Sequence, residues 1–124
     1  MLDHITIGVS DVARAKKFYD RALLPLGIER FHSGDDSFAG YGANKKYFFW
    51  IGLRKAAQTS VHIAFTARDR ETVDEFHRAA LAAGGRDNGQ PGLRPHYHEN
   101  YYGAFVFDPD GHNIEAVCHL KSGD

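Results

Sequence analysis

The chain carries one cysteine, one methionine, one tryptophan and four prolines in 124 residues. A single thiol, Cys118, excludes an internal disulfide and fits a reducing compartment. No apolar run approaches the roughly 20 residues that a membrane-crossing helix needs. The opening MLDHITIGVSD also lacks the charged-then-apolar pattern of a signal peptide. Neither sign of charge prevails: 15 basic residues stand against 16 acidic ones, and there is no basic run. That balance argues against a nucleic-acid or membrane-surface partner. The expectation is a cytoplasmic protein of one compact domain, long enough to bury a core without crosslinks.

What the chain does have is histidine, eight in all, and a repeat. Displaced by 58 residues, segment 4–27 falls on segment 62–85 with seven identities. These are His4/His62, Ile5/Ile63, Asp11/Asp69, Phe18/Phe76, Ala22/Ala80, Leu23/Leu81 and Gly27/Gly85. A duplication of this kind governs the fold before any single element does. Each copy opens on an alternating strand, with Ile5, Ile7 and Val9 on one face and His4, Thr6 and Gly8 on the other. Asp11 and Asp69 then stand where an N-cap is wanted, ahead of apolar stripes that predict helices over 12–24 and 70–83. Strands are expected at 28–32, 37–42 and 46–53, with a corner at Gly42-Ala43-Asn44. The second copy offers a weakly patterned 86–93, then 101–107 and 112–120 joined by the turn Asp108-Pro109-Asp110-Gly111. The reading is α+β, two tandem βαβββ modules at about 2–53 and 60–120, with a linker at 54–59.

Each helix must cover the apolar face of its sheet, so His4 and His62 point away from the helices. By the same parity Glu115, Val117 and His119 share that outward face, while Ile114, Ala116 and Cys118 meet the helix. A pseudo-twofold duplication brings the outward faces together. Two imidazoles and one carboxylate, His4, His62 and Glu115, then form a candidate divalent-metal site with positions open for substrate. The loop RPHYHENYYG, residues 94–103, adds imidazoles and phenols. His98, with His96 as the alternative, is the candidate for proton transfer. Tyr101 is the candidate donor to a developing oxyanion. Tyr97 and Tyr102, with Phe49 and Trp50 of the strand YFFW, are candidate substrate walls.

The segments HITIGV, FYDRALLPLG, HIAF and DPDGHNIEAV resemble the vicinal oxygen chelate superfamily. That group includes glyoxalase I, extradiol dioxygenases, fosfomycin resistance proteins, methylmalonyl-CoA epimerase and bleomycin resistance proteins. The resemblance implies paired modules curving as a mixed sheet around a cleft, and His4, His62 and Glu115 as ligands of iron, manganese, zinc or nickel. A fourth ligand position of the family falls in Tyr47-Phe48-Phe49-Trp50-Ile51, which holds no carboxylate or imidazole. Two histidines and one glutamate are similar to the dioxygenase triad, but the strand Ala104–Phe107 lacks the tyrosine those enzymes place there. Two functions remain in view. One is a divalent-metal enzyme, a lyase, isomerase or dioxygenase, acting on a small molecule with vicinal oxygens. The other is a metal-free small-molecule-binding protein of the bleomycin-resistance type. A homodimer is expected, with the site within one chain or across the pair.

Overall fold

A computed structural model describes residues 2–54 and 61–121. The first module runs β1 (Ile5–Val9), α1 (Val12–Ala22), a short 3-10 turn (Leu24–Leu26), β2 (Glu29–Gly34), β3 (Phe38–Ala43) and β4 (Lys46–Leu53). The second runs β5 (His62–Thr66), α2 (Arg70–Ala82), β6 (Arg86–Leu93), β7 (Tyr102–Phe107) and β8 (Asn113–Cys118). Both sheets have one topology, β1-β4-β3-β2 and β5-β8-β7-β6, in which the first strand lies parallel to the last. The βαβββ duplication read from the sequence is the fold. The connection expected at 54–59 lies, beyond Arg54, outside the described residues. Among the described residues no helix is long and apolar enough to cross a membrane.

Local chemistry explains the boundaries. The carboxylates of Asp11 and Asp69 accept the N–H of Arg14 (3.0 Å) and Thr72 (2.7 Å), as N-caps do. Helix α1 stops at Ala22, short of the predicted end, because Pro25 cannot donate an N–H to continue it. The chain tightens into the 3-10 turn and leaves through Gly27 at φ +77°. The β3–β4 corner lies one residue later than expected. Asn44 and Lys45, not Gly42, take positive φ, as a two-residue hairpin turn demands. Gly42 is needed for space, since a Cβ there would lie 1.8 Å from the Lys46 carbonyl oxygen. The weakly patterned 86–93 forms an edge strand after all. Its glycines and Pro91 fall where the register with β7 shifts, so they bulge the strand without ending it.

The core lies between helices and sheets. Phe18 and Tyr19 from α1 and Val73 and Phe76 from α2 pack with Ile7, Phe49, Val106, Ile114 and Ala116, all almost wholly buried. Cys118 is buried on this side. The modules meet through Phe49 and Phe65, edge to face at 5.3 Å, and through the β7–β8 turn. The predicted turn at Asp108–Gly111 is therefore also a clasp between modules. Asp108 Oδ2 accepts the Tyr19 hydroxyl at 2.5 Å, and Asp108 Oδ1 accepts the N–H of Asp110 and His112. The His112 ring bridges Gly8 O (2.8 Å) and the Val61 N–H (3.2 Å), with Nε2 donating to the carbonyl and Nδ1 accepting from the amide. Asp110 accepts both the N–H and the hydroxyl of Ser10.

Two groups predict how stability depends on pH. Burial, and then Asp108, push the Tyr19 phenol well above its ordinary value. Tyr19 ionises near pH 10 only when unfolded, so stability is intact below about pH 10 and falls as pH rises beyond it. At the acid end, the His77 imidazole at 2.9 Å, then the Gly89 N–H and the Gln90 amide, hold Asp87 down at about 2. Its contribution is complete above about pH 4, where an unfolded aspartate is ionised, and is lost as pH falls toward 2. Thermal melts from pH 2 to 11 are expected to show both declines, and His77→Ala is expected to flatten the acid limb.

Candidate functional site

On the face of the second sheet turned away from α2, Glu115 stands between Ala64 of β5 and Phe105 of β7 in register. Its exposure is 0%. Both carboxylate oxygens have partners, as a buried carboxylate requires. His62 Nε2 lies 2.7 Å from Oε1, and the Tyr101 hydroxyl donates to Oε2. The His62 side chain remains half open to solvent at 52%. Burial, and then Glu115, raise the Tyr101 phenol above its usual range, so it stays a hydrogen-bond donor at ordinary pH. Gly103 leaves room for this arrangement: a Cβ there would approach Glu115 Oε2 to 3.2 Å.

The rest of the face extends from this trio. The rings of His62 and Phe105 are 6.0 Å apart, and the Arg94 guanidinium lies over the Phe105 ring, 5.4 Å from its centroid. From Tyr101 the aromatic contacts run to Tyr97 (5.2 Å) and His119 (5.3 Å). His96 packs on Tyr97 at 4.2 Å, and His98 meets His119 edge-on at 5.5 Å. His98 is thus linked to the Glu115 trio through His119 and Tyr101, on an exposed loop.

Other residues singled out from the sequence lie elsewhere. Tyr102 belongs to the helix side, where its hydroxyl donates to Asp74 (2.7 Å) while burial and that carboxylate push it up to about 12. Phe49 is core, against Tyr19 and Phe65, at the floor of a cleft of about 420 Å³ between the modules. Trp50 faces outward among Phe38, His32 and Tyr47. Register gives Trp50 a particular meaning. Thr6 pairs with Trp50 as its repeat equivalent Ala64 pairs with Glu115. The indole therefore occupies the first-module counterpart of the Glu115 position. Gly40 makes room for it, since a Cβ there would lie 2.7 Å from the ring.

His4, the repeat equivalent of His62, pairs with Asp3 at 2.8 Å and is more than half exposed. Among the described residues no group of three or more His, Cys, Asp or Glu side chains is close enough to hold one metal ion. One chain therefore brings His62, Glu115 and Tyr101 together and leaves His4 apart. Sequence reasoning did not find Arg94. The only hint was a basic residue between the glycines of β6 and the aromatic loop.

The sequence signature of the Glyoxalase/Bleomycin resistance protein/Dioxygenase superfamily matches residues 1–116. Among solved structures, a glyoxalase/bleomycin resistance protein from Albidiferax ferrireducens T118 is 33% identical with a TM-score of 0.82, over 95% of this chain and 98% of that one. A putative glyoxalase from Bacillus halodurans is 26% identical with a TM-score of 0.72, over 95% of each chain. A lactoylglutathione lyase from Agrobacterium tumefaciens has the same fold at 17% identity and a TM-score of 0.72, over 100% of this chain and 97% of that one. No curated protein matches the chain.

Proposed function

From the premise that the chain belongs to the glyoxalase/bleomycin resistance protein/dioxygenase superfamily, we propose a divalent-metal enzyme acting on a small substrate with vicinal oxygens. The observation that carries this reading is the pair His62 Nε2 and Glu115 Oε1, 2.7 Å apart on one open face. Two donors held at about 2.1 Å from one ion lie about 3 Å from each other, so the pair fits as two ligands of one site. An imidazole and a carboxylate suit iron, manganese, zinc or nickel. When bound, such an ion supplies a Lewis acid that polarises the substrate oxygens. The chain's own residues do the rest. Tyr101 fixes the rotation of the Glu115 carboxylate through its second oxygen, and so aims Oε1. His98, on the aromatic loop, is placed to move a proton at the edge of the same face.

The third ligand is His4 of a second copy. Phe31, Phe38 and Tyr47 stand exposed around Trp50 on the first module's outward face. A twofold pair lays that apolar face on the second module of its partner and carries His4 toward His62 and Glu115. Mixed dimers test this. Protein purified without chelator is expected to hold metal, and His4→Ala and Glu115→Ala alone are expected to lose it. Equal mixing after unfolding and refolding restores one intact site in half of the dimers, about one quarter of the wild-type metal per chain. Wild-type protein without metal sinks the enzyme reading. Mixtures that stay empty sink the shared site.

The apolar cleft of about 420 Å³, lined by Ile5, Phe48, Phe49, Ile63 and Phe65, favours a second reading as a metal-free binding protein. Glu115 does not line it. Ligand binding that survives chelator and Glu115→Ala selects that reading.

A further inference from the structure

Arg94 has no role in the reading above, yet its placement is costly to explain as mere surface charge. Its Nη1 donates to Gly92 O at 2.8 Å and its Nη2 to Gln90 O at 2.7 Å, while the guanidinium lies over Phe105. The bulged edge of β6 prepares this seat. A Cβ at Gly89 or Gly92 would stand 3.2 Å from Nη2 or Nη1, so the two glycines let the fork lie flat against the sheet. A guanidinium has five N–H groups, and two are used, leaving three. Among the described residues no carboxylate pairs with Arg94, although Glu115 shares the face. A half-buried cation held rigid by carbonyls, with donors to spare, is a seat for an anion.

The floor between that cation and Glu115 is formed by two rings, Phe105 against the guanidinium and Tyr101 over Gly103. Gly92 pairs with Gly103 in register, and neither brings a side chain to this face. Glu115 on β8 and Arg94 over β6 and β7 are separated by one to two strand spacings, about 5–10 Å. A small molecule can span that distance with one end at His62 and Glu115 and the other at Arg94.

We propose that Arg94 recognises an oxyanion, a carboxylate or phosphate, at one end of the substrate, and so restricts this face to acidic small molecules. This rests on the reading of the face as the substrate site. The test titrates chelator-treated protein with inorganic phosphate and, separately, with acetate, following the Arg94 Nε–H and the Gly92 and Gly103 amides by NMR. At least one anion is expected to shift these signals saturably, and the tighter one names the group. Arg94→Gln is expected to weaken that binding at least about tenfold, and Arg94→Lys, which keeps the charge and loses the fork, by less. No shift at these residues, or equal affinity in Arg94→Gln, overturns the proposal. Should Arg94→Gln fail to fold, shifts confined to other residues of the wild type overturn it. Metal analysis of the untreated protein separates the two readings. Anion binding in a protein that carries no metal retires the metal site and leaves Arg94 standing, and the converse result retires Arg94 alone.

Discussion

Glu115→Gln is expected to lower metal affinity at least about a hundredfold, about 2.7 kcal/mol, while changing the melting temperature little. The reason lies in what the substitution keeps. Glutamine fills the same fully buried volume, and its amide oxygen and nitrogen still answer the Tyr101 hydroxyl and the His62 ring. What disappears is the negative charge, and a divalent ion requires an ionised carboxylate at this position. Trp50 stands at the equivalent position of the first module, so no other carboxylate replaces it on the outward faces of β4 and β8. Glu115→Ala removes metal as well, but it also opens a hole beneath Tyr101 and confuses folding with binding. Metal content after dialysis, with competition against a chelator of known strength, measures the effect. Retention of wild-type affinity in Glu115→Gln excludes Glu115 as a ligand and the metal site with it.

Much of this geometry is legible in the chain, and the limits have a physical cause. Alternation along β5 and β8 puts His62 and Glu115 on one face, because a one-residue slip would expose Ile114 and Ala116 and bury the charge alone. The 58-residue repeat makes the modules equivalent, down to the aspartate N-caps. Alternation acts within a strand, however, and says nothing of how two modules pack. It put His4, just ahead of β1, at the repeat position of His62, and that position alone does not bring the two imidazoles together. Arg94 was hidden for another reason. Glycine and proline spoil the pattern of β6, and those same glycines create the flat seat for its guanidinium. The role of Trp50 as the counterpart of Glu115 depends on the registers of two sheets, and no local pattern encodes it.

The same limit applies to the turn at Asp108, whose sequence reads as a hairpin and nothing more. Its partner Tyr19 lies 89 positions away. Asp108→Ala is expected to cost about 3 kcal/mol or more, the largest loss of stability for a single change outside the apolar core. The carboxylate satisfies three donors, the Tyr19 hydroxyl and the N–H of Asp110 and His112, at 2% exposure. Stranding each buried donor costs about 1–3 kcal/mol, less than additively when they share one acceptor. Asp108→Asn is expected to be far milder. Its oxygen still accepts the two backbone N–H groups, and the Tyr19 hydroxyl can turn to accept from the amide nitrogen. Urea midpoints at constant m-value measure both, and an Asp108→Ala loss below about 1 kcal/mol refutes the clasp. The consequence reaches the site, because His112 bridges Gly8 and Val61 immediately before β8 begins. Loosening Asp108 frees the strand that carries Glu115, so Asp108→Ala is expected to weaken metal binding without touching a ligand.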